Sequence, residues 1–127
     1  MDREQSNQSL SADPVADAAL YAAHLIDAEK KATNLGTLDA ARNIATRHRL
    51  PQALLRALIQ PSRRPKDIGQ RWWARLKRAY LDALRRQLAE LELEIARVEA
   101  CGAPDRSVGD LLDKAQALCR RIEALID

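Results

Sequence analysis

One apolar stripe constrains the fold of this chain more than any other feature of its sequence. Between residues 76 and 98, large apolar side chains recur in steps of three or four, at Leu76, Tyr80, Leu84, Leu88, Leu91, Ile95 and Val98. That spacing places them on one face of an α-helix. The helix is predicted to run from a cap at Asp67 to about Cys101, a length of about 50 Å, and Gly102 and Pro104 would end it.

A second amphipathic helix follows after a short connection. Ser107 is its predicted cap, and apolar residues then recur at Val108, Leu111, Ala115, Leu118, Ile122 and Leu125. The short connection predicts antiparallel neighbours, so residues 67–127 should form a long helical hairpin. Leu112, Cys119 and Ile126 form a further line with a seven-residue, coiled-coil-like repeat. The apolar face left over would suit a homodimer through the helices at 67–101 and 107–126.

Proline and glycine divide the upstream sequence into three shorter helices. Asp13 and Pro14 begin the first, and Gly36 ends it. Thr37 caps the second, and Pro51 separates the second from the third. Because only four of the 127 residues are aromatic, the core must consist of Leu, Ala and Ile, which favours helices over sheets. The predicted ranges of the second and third helices are 38–48 and 51–59, with a loop at 60–66.

Positive charge is concentrated in the middle of the chain. Residues 42–86 carry thirteen Arg and Lys residues against two acidic residues, Asp67 and Asp82, for a net charge of +11. The segments 1–41 and 87–127 each carry a net charge of −4, which together give the overall charge of +3. So uneven a distribution favours a polyanionic partner, although a solvated basic face without a dedicated partner would look similar.

The basic block contains a pattern of small and apolar residues typical of one DNA-binding motif. Counting Ala41 as position one, positions four, five, ten, fifteen and eighteen hold Ile44, Ala45, Leu50, Leu55 and Leu58. Residues 41–60 therefore resemble the helix-turn-helix of small bacterial and phage repressors. The segment departs from that family at position nine, where Arg49 replaces the usual turn glycine, and at position eight, where His48 replaces an apolar residue.

The resemblance implies a DNA interface with two kinds of contact. The helix at 51–59 would enter the major groove and read bases with Gln52, Ala53 and Arg56. Flanking basic residues would contact phosphates, namely Arg47, Arg49, Arg63, Arg64, Lys66, Arg71, Arg75 and Arg78. Trp72 and Trp73 are interpreted as core residues rather than a base-stacking platform.

These features predict an all-α chain of five helices. A disordered tail at 1–12 would precede one domain at 13–127, composed of a helix-turn-helix unit at 13–66 and the hairpin at 67–127. The predicted function is transcription regulation through duplex DNA. A non-enzymatic interaction module, an antiactivator or adaptor that uses the hairpin, is the alternative, and a non-specific RNA or nucleoid binder is a third reading.

The sequence does not predict an enzyme. It contains no glycine-rich phosphate loop, no H-E-x-x-H motif and no Cys–His set at metal-ligand spacing. We therefore expect no catalytic residue, no metal and no cofactor, and no membrane or small-molecule partner. Cys101 and Cys119 would lie roughly 16 Å apart along the hairpin, too far for a disulfide. The lack of a predicted disulfide, together with a polar N-terminus that has no secretory signal, favours a cytoplasmic protein.

Overall fold

The computed structural model describes residues 13–102 and 105–126, with the backbone alone for residues 105–107. Within these ranges the chain forms five α-helices, a single 3-10 turn at Pro61–Arg63, and no strand. The helices are α1 (Pro14–Thr33), α2 (Thr37–His48), α3 (Gln52–Leu58), α4 (Gln70–Ala100) and α5 (Asp105–Ile126). The predicted all-α fold with a C-terminal hairpin is confirmed. The predicted tail at 1–12 lies outside the described residues.

Local side-chain chemistry sets the two ends of α1. The Asp13 carboxylate accepts a hydrogen bond from the Ala16 backbone N–H at 3.1 Å, as an N-cap does. The helix ends before the predicted stop at Gly36, because Asn34 adopts the left-handed conformation with φ 62° and donates its N–H to the Lys30 carbonyl. Asparagine tolerates this conformation better than most residues. Gly36 is instead extended and precedes α2.

Several other helix ends differ from their predicted positions by one to three residues, and α2 begins at Thr37, the residue predicted as its cap. Helix α3 begins at Gln52, because Pro51 keeps an extended conformation. Helix α4 begins at Gln70 rather than after a cap at Asp67, and a hydrogen bond from the Trp73 N–H to the Gly69 carbonyl lies in its first turn. Helix α5 begins at Asp105, ahead of the predicted cap at Ser107. Such small shifts are usual at helix ends.

Residues 13–80 form one compact unit in which α1, α2 and α3 pack against each other in all three pairs. Its core combines small side chains where helices approach closely with larger aliphatic ones that fill the space between them. The fully buried members include Ala18, Ala22, Ala40, Ala41, Leu55, Leu58 and Leu76. The core is therefore built from Ala, Leu and Ile, as the composition predicts.

Aromatic stacking joins the beginning of α4 to α1. The Tyr80 ring stacks on Tyr21 with centroids 4.6 Å apart, and His24 meets Tyr80 edge-on at 5.0 Å. Burial raises the pKa of Tyr21, and the Asp17 carboxylate and Tyr80 raise it further. The pKa of Asp17 is also raised, by burial and by Asp13, against the opposing effect of Lys77.

Residues 81–126 form a second compact unit, the hairpin of α4 and α5. The left-handed Gly102, with φ 70°, follows the end of α4. Among the described residues of this unit, buried apolar side chains are confined to Ala83, Leu84 and Ile122. The rest of the apolar stripe remains half-buried, at Leu88, Leu91, Ile95 and Val98. The division between the units falls inside α4, and the prediction of a single domain stays a prediction.

None of the helices in the described ranges carries an apolar segment long enough to cross a bilayer.

Candidate nucleic-acid interface

The α2–turn–α3 segment has a core at the positions that the helix-turn-helix pattern requires. Ala41 is fully buried, and the five pattern residues are between 0% and 7% exposed, at Ile44, Ala45, Leu50, Leu55 and Leu58. These side chains belong to the core in which α2 and α3 pack against each other and against α1. The sequence pattern and the burial agree at every one of these positions.

The turn between α2 and α3 takes its shape from Arg49. This residue adopts the left-handed conformation, with φ 57° and ψ 49°. Its N–H donates to the Ala45 carbonyl, and the following Leu50 N–H donates to the same oxygen at 2.9 Å. The Leu50 bond is the outer bond of a Schellman motif, and the Arg49 bond is that of the simpler αL motif; glycine usually occupies the left-handed position in both. The chain therefore makes a glycine-type turn with an arginine, and His48 beside it is half-buried.

Helix α3 exposes part of one side, and the exposed strip continues past the C-terminal end of the helix. Ala53, Arg56 and Gln60 are exposed, while Gln52 is half-buried at the N-terminal end. A shallow depression of about 150 Å³ runs along this face, lined by Ala53, Arg56, Ala57, Gln60 and Arg63. The structure thus places the predicted base-reading residues Ala53 and Arg56 on the accessible side of α3, away from the buried Leu55 and Leu58, and Gln52 at the half-buried edge of that side.

Arg47, a predicted phosphate contact, is held by a carboxylate from α1. Its Nη1 donates to Glu29 Oε1 at 3.0 Å and its Nη2 donates to Glu29 Oε2 at 3.2 Å. Asn43 adds a hydrogen bond from Nδ2 to Oε2 at 3.1 Å. Glu29 is only 6% exposed, whereas the Arg47 side chain is 45% exposed. Because both Nη atoms bind this carboxylate, Arg47 positions α2 against α1.

Sequence reasoning missed Glu29, although a signal for it exists. Glu29 follows Leu25 by four residues and Ile26 by three on the face of α1 that becomes buried. A carboxylate at such a position requires a cationic or hydrogen-bonding partner from a neighbouring helix. The identity of that partner depends on how α1 crosses α2, which spacing alone does not give.

Two further arginines donate to backbone carbonyls. Arg64 Nε donates to the Leu58 carbonyl at 3.0 Å, at the C-terminal end of α3, where a cation is favoured. Arg75 Nη1 donates to the Arg49 carbonyl at 2.8 Å and ties the start of α4 to the turn. Both therefore support the unit that presents α3, and each retains further N–H groups.

The other predicted phosphate-contacting residues are exposed. They are Arg49, Arg63, Lys66, Arg71 and Arg78. Within the described residues, the side chains of these five make no hydrogen bond and no ion pair. Asp67 and Asp82 are the acidic residues of the block, so it is left with little internal compensation. A positive potential over this part of the chain follows.

The two tryptophans are half-buried and carry cations on their rings. The guanidinium groups of Arg71 and Arg75 lie 4.6 and 5.6 Å from the Trp72 ring centroid. Lys77 Nζ lies 5.0 Å from that of Trp73, whose indole Nε1 is buried without a hydrogen-bond partner in the described part of the chain. Both rings thus combine partial burial with cation–π contacts.

We also searched the described residues for a metal site. No cluster of three His, Cys, Asp or Glu side chains suited to a metal ion occurs among the described residues. Comparison of the chain with protein-family models, with curated proteins and with solved structures finds no match.

Proposed function

We propose that this protein is a non-enzymatic, DNA-binding transcriptional regulator that reads duplex DNA with α3. The observation that supports the proposal best is the face of α3 that exposes Ala53 and Arg56, with the half-buried Gln52 at its N-terminal end, beside a core buried at the helix-turn-helix positions. The surrounding +11 block supplies the attraction that a polyanion requires.

Each reading residue has a chemical counterpart in the major groove. The Arg56 guanidinium would donate two hydrogen bonds to the O6 and N7 acceptors of a guanine, and the Gln52 amide would bind the N6 and N7 edge of an adenine. Ala53 is small enough to contact a thymine methyl group. These contacts would supply sequence preference.

The basic residues fall into two roles in this proposal. Arg49, Arg63, Lys66, Arg71 and Arg78 would contact phosphates directly and hold the protein on the duplex without reading sequence. The remaining predicted contacts are Arg47, Arg64 and Arg75. Arg47 is mainly a positioning residue through Glu29, whereas Arg64 and Arg75 keep N–H groups for phosphates beside their bonds to the backbone.

Two substitutions separate base reading from phosphate binding. A preferred duplex is first selected from a random pool and then compared with a scrambled duplex by fluorescence anisotropy. We expect Arg56→Ala to reduce the preference about fivefold or more, since a good bidentate contact contributes about 1–3 kcal/mol. Lys66→Ala should weaken both duplexes alike and reduce the salt dependence by about one phosphate contact. An equal loss on both duplexes with Arg56→Ala would contradict the assignment of α3.

The hairpin supports a second candidate, a protein-interaction module of the antiactivator or adaptor type. Its half-buried apolar stripe and the groove between α4 and α5 could bind the apolar face of a partner helix. Absence of binding to any duplex at low salt would favour this candidate. Preferential binding to RNA without base preference would favour a non-specific RNA binder.

The proposal includes a cytoplasmic location. Cys101 and Cys119 are exposed free thiols, which a reducing compartment preserves. No cofactor or small-molecule ligand enters the proposed mechanism, since the side chains of α3 and the basic block provide all of its contacts.

A further inference from the structure

The hairpin of residues 81–126 has an apolar groove with rims of opposite charge. The groove has a volume of about 500 Å³. Its apolar lining residues are Leu91, Leu111, Ala117 and Leu118. On the α4 side the charged residues are Glu90 and Glu94, and on the α5 side they are Lys114 and Arg121.

Two helices alone leave this hairpin incompletely packed. Leu91, Leu111 and Leu118 remain half-buried, although they lie on the faces that α4 and α5 turn toward each other. A helix with this much apolar surface gains stability when further helices cover it. The usual solution is a bundle of four helices.

We infer that a second copy of this chain covers the groove, so that two hairpins form a four-helix bundle about a two-fold axis parallel to the helices. Rotation about that axis places α4 of one copy over α5 of the other. Glu90 and Glu94 then lie opposite Lys114 and Arg121 of the second copy. A single surface is thus complementary to itself, as an isologous interface requires.

The charge pattern also rejects the other face-to-face dimer. A two-fold axis perpendicular to the helices would place α4 over α4, and the Glu90 and Glu94 rim would meet its own copy. Like charges brought together in this way disfavour the arrangement. Both hairpins therefore run in the same direction, and both Leu81 residues lie at the same end of the bundle.

The size of the hairpin face fits a stable dimer. Helix α5 has 22 residues, which gives a length of about 33 Å. Two helices side by side, each about 10–12 Å wide, present roughly 700 Å² in projection. A stable interface buries about 800 Å² of accessible surface per partner. This inference rests on the hairpin alone and is independent of the proposed function.

Charge reversal across the groove tests the inference. The mass of the full chain is measured by sedimentation equilibrium over a range of concentrations, and we expect twice the 14.2 kDa of one chain. Glu94→Lys and Lys114→Glu should each weaken dimerisation by about tenfold or more, because the symmetry repeats each repulsive contact. The double variant Glu94→Lys/Lys114→Glu should regain the wild-type dissociation constant to within about threefold.

Two further variants keep the test decisive. Ala117→Glu adds a carboxylate to the groove at an exposed position and should also produce monomers, with helicity retained by circular dichroism; it carries the test if a charge-reversed variant fails to fold. Leu112 lies outside the groove lining and is 43% exposed. The Leu112→Ser variant should therefore remain a dimer. A wild-type monomer at every concentration would overturn the inference. So would a dimer that none of the groove substitutions weakens, or a double variant that stays monomeric.

Discussion

The Glu29 carboxylate determines what the Arg47 guanidinium does. A buried carboxylate without its cation is strongly unfavourable, and both Nη atoms of Arg47 are needed to satisfy the two oxygens. The exposed pair of Arg42 and Asp39, at 3.4 Å, has no comparable role, because water already solvates both groups. Two arginines five positions apart on α2 therefore contribute very differently to stability.

Removal of each of these arginines makes the difference measurable. Arg47→Ala should lower the free energy of unfolding by about 2–3 kcal/mol, below the range for a fully buried pair because the Arg47 side chain is 45% exposed. Arg42→Ala is the control and should change it by less than about 0.5 kcal/mol. Urea denaturation of both variants gives the two values. Equal effects would show that Glu29 is not held as described.

The left-handed conformation of Arg49 gives a prediction of the opposite sign. A side chain at φ 57° is strained, and glycine relieves that strain. The Arg75 hydrogen bond goes to the backbone carbonyl of Arg49 and is retained in Arg49→Gly. The variant should be more stable than the wild type by about 0.5–1 kcal/mol, as measured by urea denaturation. A loss of stability would mean that the arginine side chain contributes more than its backbone strain costs.

Among the elements, Gly102 at the end of α4 has a left-handed backbone and no close neighbour. A Cβ added at Gly102 or at Gly109 would meet nothing within 4 Å. Gly102 has φ 70°, which disfavours alanine, whereas Gly109 lies inside α5, where alanine is favoured. The two positions therefore isolate the conformational effect.

Matched alanine substitutions should act in opposite directions. Gly102→Ala should destabilise the protein by about 1–2 kcal/mol, because alanine resists the left-handed conformation. Gly109→Ala should stabilise it by about 0.5–1 kcal/mol. Thermal unfolding followed by circular dichroism provides the comparison. The same sign for both substitutions would contradict the left-handed conformation of Gly102.

The elements themselves were largely predictable from the sequence. The apolar stripe from Leu76 to Val98 predicts α4, and the Asp13–Pro14 pair predicts the start of α1, because both depend on neighbours along the chain. The Glu29–Arg47 pair and the Arg75–Arg49 bond were not predictable, since each joins residues from different helices. The exposed face of α3 follows from the helical spacing of its apolar residues. The hydrogen bonds that hold Arg47, Arg64 and Arg75 become evident only in three dimensions.

At the scale of the whole molecule, the chain combines a basic segment with an acidic segment that follows it. The segment 42–86 has a net charge of +11, and the segment 87–127 has a net charge of −4. A duplex should therefore be attracted to the first and repelled by the second. Attraction through about six phosphates would make duplex affinity fall by orders of magnitude between low and moderate salt. A salt-independent affinity would contradict an electrostatic interface.

Backbone amide chemical shifts, followed during titration with the selected duplex at low salt, show which residues contact DNA. If α3 reads DNA, the largest changes should fall on residues 52–58 and on the flanking basic residues 63–71, and added salt should reverse them. The amides of α5 at residues 108–126 should remain unchanged. The absence of changes in α3, or changes confined to α5, would contradict the proposal that α3 reads DNA.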